Sequence, residues 1–226
     1  MPKSLEEIRI KTDIAYAHVR TIHVDVMNGT MTHAVCWPFN EGSIVEFGQL
    51  TSGEKALPHW KEVNFEVDIM MKDPEDSIAE WVNAGFKRII VHIEAAKQFG
   101  SIINEWKNVV EIGAAINTET DTGELHRIIV DGVDFVQFMC IQEIGFQGTP
   151  FDDSVLDKIS AFHKAYPEMT ISADGGIKGE NIRDLARVGV TRFVMGSAVY
   201  NMGGAAGVGK AIDTYKMVAD TALALS

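Results

Sequence analysis

From Thr21 onward, short β-branched apolar runs alternate with longer polar stretches of helical character. The runs are Thr21–Val26, Phe65–Met70, Arg88–Ile93, Glu111–Ile116, Asp134–Met139, Thr170–Ala173 and Arg192–Met195. Each has the length of a strand, and nearly all are too apolar to keep one face in water, which predicts strands covered on both sides. The intervening stretches carry helix punctuation. Pro74-Glu75-Asp76 opens one that stops at Gly85, Asp152-Asp153-Ser154 opens one that runs towards Tyr166-Pro167, and Gly179-Glu180-Asn181 opens one that stops at Gly189. Strands alternating with helices predict a parallel sheet flanked by helices.

Asp25, Asp68, Glu94, Asn117, Gln142, Asp174 and Ser197 all fall at or just past the C-terminal end of a predicted strand. In a closed barrel these ends converge on one rim, whereas in an open doubly wound sheet only the strands at the switch point would cluster so. The pattern therefore predicts an α/β (β/α)8 TIM barrel, residues 1–226 forming a single domain. The N-terminal unit is expected to be irregular or shortened, because only 20 residues precede the first clear strand. Either Glu7–Lys11 is a compressed first strand followed by a stunted helix over Asp13–Val19, or the eighth strand is missing. Ser43–Phe47, inside the long connection from Asn28 to Asn64, is a candidate for a further strand.

Composition narrows the function classes. With 20 Lys and Arg against 32 Asp and Glu, the net charge is −12, which argues against nucleic acid as a partner. A phosphate site in such a chain must be built locally, from backbone N–H groups and helix ends. Cys36 and Cys140 have neither zinc-ligand spacing nor disulfide density and read as buried thiols. No signal peptide and no membrane-length apolar window is present, so no membrane partner and a cytoplasmic location are expected.

The stretch His23-Val24-Asp25 places an imidazole and a carboxylate two residues apart, on one face of a strand. Taken alone, such a pair reads as a buried ion pair. Asp68 stands at the same relative position on the next strand, and Asp174 opens an Asp-Gly-Gly at a later strand end. Three acids and an imidazole at one rim are costly without a cation to neutralise them. A site of several oxygens and one nitrogen predicts a divalent metal ion and does not choose among Zn, Mn, Fe and Mg. Glycines form a second group: Gly145 to Gly148, Gly175 and Gly176, and Gly196 each follow a strand, where a ligand can approach the backbone closely. A phosphate held by the last loops of a barrel is a recurrent arrangement.

Taken in order, HVDVMNG, VDIMMKDP, VHIEA, EIGFQGTPF, SADGGI and VMGSAVY resemble the ribulose-phosphate 3-epimerase family, and the likeness covers roughly residues 21 to 200. The resemblance implies an isomerase that inverts the third carbon of a ketopentose phosphate such as D-ribulose 5-phosphate, with two aspartates and a divalent metal. It implies that Asp25 and Asp174 are the acid/base pair and also metal ligands, with His23 and Asp68 completing the set. It further implies that Met27, Met70 and Met139 line the reacting face, and that Gly145, Phe146, Gln147 and Gly148 form a loop closing over the substrate. Gly175, Gly176, Gly196 and Ser197 fall at its phosphate-binding positions, and a homo-oligomer is implied, with Trp37, Phe39 and Phe47 as an apolar patch in need of cover.

Four features depart from the family pattern. Asp68 stands where the family has a second metal histidine, Asn28 where it has an acid, and Phe146 and Gln147 interrupt its glycine-rich loop, in which Ile144 replaces a proline. No N-terminal strand with a substrate-contacting serine is recognisable. Two other readings stay open: an isomerase or lyase acting on another phosphorylated sugar, and a non-catalytic barrel that binds a sugar phosphate or a protein.

Overall fold

A computed structural model describes residues 1–146 and 148–224. In chain order the strands are β1 (Thr21–Met27), β2 (Asn64–Met70), β3 (Arg88–His92), β4 (Glu111–Ile116), β5 (Phe135–Met139), β6 (Thr170–Asp174) and β7 (Arg192–Val194). The helices are α1 (Leu5–Ala15), α2 (Ile44–Thr51), α3 (Ile78–Asn83), α4 (Phe99–Trp106), α5 (Leu125–Asp131), α6 (Val155–Ala165), α7 (Ile182–Arg187), α8 (Ser197–Tyr200) and α9 (Gly204–Leu223). All seven strands are parallel and lie in sequence order, each hydrogen-bonded to its chain neighbour. The result is a nearly closed barrel with helices outside it.

The strands earn their place through two-sided burial. Every residue of β5 is buried, as is every residue of β2 after Asn64. Outward-facing residues such as Val67, Ile69, Ile89, Val91, Val136 and Phe138 join the large core beneath the helices. The interior is partly polar, because Glu66, Asp68, His92, Gln137 and Ser172 are buried there.

Neither candidate strand in the N-terminal third forms, and of the two alternatives for that unit the missing eighth strand is the one that agrees with the seven-stranded sheet among the described residues. Glu7–Lys11 is part of α1, not a strand. Ser4 caps that helix by accepting from the Glu7 N–H at 3.1 Å, and Ile8, Thr12 and Ala15 form its buried stripe. Ser43–Phe47 lies at the start of α2, because Phe47 and Leu50, three apart, bury one helical face. Phe47 packs at 4.5 Å between ring centroids against Trp81 and edge-on to Trp37. Trp37 and Phe47 are thus core residues, and Phe39 packs against Trp81, so these three offer no exposed patch.

The sheet has seven strands, and among the described residues β1 and β7 do not pair with each other. An unpaired seam separates them. From outside it is covered by α1, α8 and α9, which share a cluster of Ala15, Val199, Val208 and Ile212. No helix among the described residues is long and apolar enough to cross a membrane.

Candidate active site

The parallel register aligns Asp25 of β1 with Asp68 of β2, and His23 with Glu66. Asp174 ends β6, in register with Met139. Strand alternation turns these side chains inward, and one ligand atom each from His23, Asp25, Asp68 and Asp174 falls within 4.8 Å of the others. His23 Nε2 lies 3.2 Å from Asp25 Oδ1 and 4.0 Å from Asp68 Oδ2.

The donor set fits a hard divalent cation. Asp68 Oδ1 is buried without a hydrogen bond, and the Asp174 carboxylate accepts none among the described residues. Carboxylate oxygens left unsatisfied in a buried cluster are what a cation would complete. The two aspartates at its edges are driven apart. Burial pushes Asp174 well above the ordinary carboxylate range, reinforced by Asp25 and Asp68. Burial acts on Asp25 in the same sense, but the His23 imidazole outweighs it and holds Asp25 below that range.

Other groups support the cluster from behind. Gln137 Nε2 donates to Asp68 Oδ2 at 2.8 Å. His92, wholly buried, stands with Nε2 3.3 Å from Asp68 Oδ1 and Nδ1 3.7 Å from Glu94 Oε2. Glu94 in turn accepts from the Asn117 N–H and the Thr120 hydroxyl. His23 Nδ1 lies 2.8 Å from Glu66 Oε1, and Arg88 reaches Glu66 Oε2. Sequence reasoning missed Glu66, Arg88 and Gln137. The signal for Glu66 was its spacing, two residues before Asp68 and so on the same face of one strand.

A cavity of about 1010 Å³ opens beside the cluster and runs down the seam. Asp25, Asp174, Met70, Met139, Gly145, Phe146, Gly148, Gly175, Gly176, Gly196 and Ser197 all line it. Met27 does not; it is enclosed with Cys36 and Met70 in a small cluster and has no exposed surface. Asp68 is fully buried behind the cavity wall. Gln147 lies outside the described residues. The glycine at 176 has φ +65°, and a Cβ there would sit 2.7 Å from the Phe151 nitrogen, so only glycine fits this close approach. The N–H groups of Gly176, Gly196 and Ser197 find no acceptor among the described residues. Cys36, beside the cluster, is an inert thiol pushed up to about 11 by burial.

The chain resembles solved barrels along nearly its whole length. It superposes on 3-hexulose-6-phosphate synthase from Salmonella typhimurium with a TM-score of 0.70 at 15% identity, covering 97% of this chain and 95% of that one. It superposes on KGPDC from Streptococcus mutans with a TM-score of 0.65 at 13% identity, covering 96% and 93%. At such identities the likeness establishes the barrel fold. Sequence goes further. Ribulose-phosphate 3-epimerase of Candida glabrata is 28% identical over 194 residues, 79% of this chain and 74% of its own. The Bacillus subtilis enzyme of that name is 28% identical over 194 residues, 83% of each chain. The profile of the ribulose-phosphate 3-epimerase family matches residues 4–200. A match spanning the barrel from α1 to α8 decides the assignment: the chain belongs to the ribulose-phosphate 3-epimerase family, a family of isomerases.

Proposed function

We propose that this chain inverts the third carbon of a ketopentose phosphate, converting D-ribulose 5-phosphate to D-xylulose 5-phosphate or acting on a close relative of it. The observation that carries this reading is the cluster of His23, Asp25, Asp68 and Asp174 beside the cavity, in a chain of this family. Inversion next to a carbonyl removes a proton from one face of the carbon and returns one to the other. The two carboxylates reach the cavity from β1 and β6, and their surroundings favour opposite protonation states, as an acid and a base require. Asp25, ionised, takes the proton; Asp174, protonated, supplies one to the opposite face, and the roles exchange in the reverse direction.

His23, Asp25, Asp68 and Asp174 would hold a divalent ion, which supplies Lewis acidity to make the abstracted proton acidic. Met70 and Met139 present weakly hydrated sulfur to the reacting carbon and keep water off it. The backbone N–H groups of Gly176, Gly196 and Ser197 receive the phosphate, the local construction that a chain of net charge −12 needs.

The test is solvent exchange. Purified chain, supplied with Zn²⁺, Mn²⁺, Fe²⁺ or Mg²⁺ and D-ribulose 5-phosphate in D₂O, is followed by NMR. Deuterium at the third carbon together with xylulose 5-phosphate is expected. Absence of both, on this and on a panel of other ketose phosphates, rejects the reading and leaves a barrel that binds without turning over.

A further inference from the structure

One layer below the carboxylate cluster, the register runs His23 to Glu66 to Arg88 to Glu111 across four adjacent strands. Four charged or chargeable side chains therefore stand side by side on the inner wall, and they are bonded in that order. Glu66 Oε1 meets His23 Nδ1 at 2.8 Å, Arg88 Nη1 meets Glu66 Oε2 at 2.5 Å, and Arg88 Nε meets Glu111 Oε2 at 2.7 Å. The Arg88 guanidinium also lies 5.3 Å from the centroid of the Phe135 ring. That ring sits where Gly113 leaves out a side chain, since a Cβ there would collide with it. Both oxygens of Glu66 are thus committed, and its carboxylate is buried. It is free neither to ligate an ion nor to move a proton of substrate. What remains to it is orientation.

We propose that Glu66 is a positioning residue for the divalent-ion site: it keeps a proton on Nδ1 of His23 and so presents Nε2 to Asp25, Asp68 and Asp174. Arg88 clamps Glu66 from the far side. A histidine whose second nitrogen is held by a carboxylate is locked in tautomer and ring angle, which raises its value as a ligand. This inference rests on the metal-dependent reading above, and its test separates the two.

Zn²⁺ affinity is measured by competition with a chromophoric chelator for the unsubstituted chain, Glu66→Gln and Arg88→Met, with thermal unfolding of each as a control. Glu66→Gln, equal in shape but uncharged, is expected to weaken Zn²⁺ binding about 10-fold or more. Arg88→Met, which disturbs the same buried layer while leaving the Glu66–His23 contact, is expected to weaken it less. Histidine ¹⁵N spectra of the Zn²⁺-loaded chain are expected to show the His23 proton on Nδ1, and Glu66→Gln to lose that signature. Zn²⁺ affinity within twofold of the unsubstituted chain in folded Glu66→Gln overturns the proposal. So does equal weakening in the two variants, or a His23 proton found on Nε2. If Glu66→Gln does not fold, the spectrum of the unsubstituted chain decides. If the unsubstituted chain takes up none of Zn²⁺, Mn²⁺, Fe²⁺ and Mg²⁺, the metal-dependent function fails, and the tautomer read in the ion-free chain at alkaline pH still decides the role of Glu66.

Discussion

Asp25 and Asp174 carry the same functional group in the same cluster, and their neighbours divide them. The His23 imidazole holds Asp25 below the ordinary carboxylate range, while burial and two nearby carboxylates push Asp174 up to about 7. Replacing either by Asn preserves shape and removes the proton-carrying oxygen. Turnover of the ketose phosphate is expected to fall at least about 10²-fold in each variant, and near-normal epimerisation by both would refute the two-base assignment. Asp68 stands apart, fully buried and supported by Gln137 and His92. Asp68→Ala is expected to lower the divalent-ion content measured by mass spectrometry, and unchanged content would reduce the protein ligands to three. His23, Asp25 and Asp68 were legible because strand alternation alone puts them on the inner face. The roles of Glu66 and Arg88 were not, because they depend on which residues of neighbouring strands stand level, and a single sequence does not state that register.

At the scale of elements, the loops after β6 and β7 carry the phosphate reading. Gly176→Ala forces a side chain into left-handed backbone and against the Phe151 nitrogen. It is expected to raise KM for the sugar phosphate several-fold with a smaller change in kcat, and to cost about 1 kcal/mol or more of stability. Steady-state kinetics and urea unfolding would show both, and an unchanged KM would remove Gly176 from the phosphate site. Seven strands could be read from their apolar runs, since burial on both faces leaves little else for such segments to do. The segment Glu7-Ile8-Arg9-Ile10-Lys11 shows where this fails. It alternates like a strand, but the Ser4 cap, worth about 1 kcal/mol, and side-chain pairs from Glu7 to Lys11 and from Arg9 to Asp13 favour a helix. Ile10 is left 47% exposed as a result.

For the whole molecule, acid stability should register the polar interior. Glu94 is held at about 2 against an ordinary 4.5; burial alone would raise it, but His92, the Thr120 hydroxyl and the Asn117 N–H outweigh burial. A carboxyl depressed in the folded state stabilises the fold above its unfolded value, and that contribution is lost as pH falls from about 4.5 towards about 2. The stability difference between the unsubstituted chain and Glu94→Gln is therefore expected to shrink across that window in urea unfolding. A constant difference would show that Glu94 titrates normally. The barrel itself was legible from the chain's rhythm. Its missing eighth strand stood as one of two alternatives, because Glu7–Lys11 alternates like a strand while the first 20 residues leave little room for a full strand-and-helix unit.

The unpaired seam also shapes the order in which the chain can assemble. Each strand of the sheet bonds only to its neighbours in sequence, so the ladder can grow one β–α unit at a time, each step closing a loop of modest length. In a fully hydrogen-bonded ring the last step must join strands from opposite ends of the chain. Here that step falls instead to side chains, as α1 meets α9 and Ala15 settles against Val208 and Ile212. Contacts this distant in sequence are slow to form, but they are non-directional and forgive an imperfect approach, whereas a ladder of hydrogen bonds does not. The clasp between the two ends of the chain is therefore expected to close late in folding, after the strands have paired.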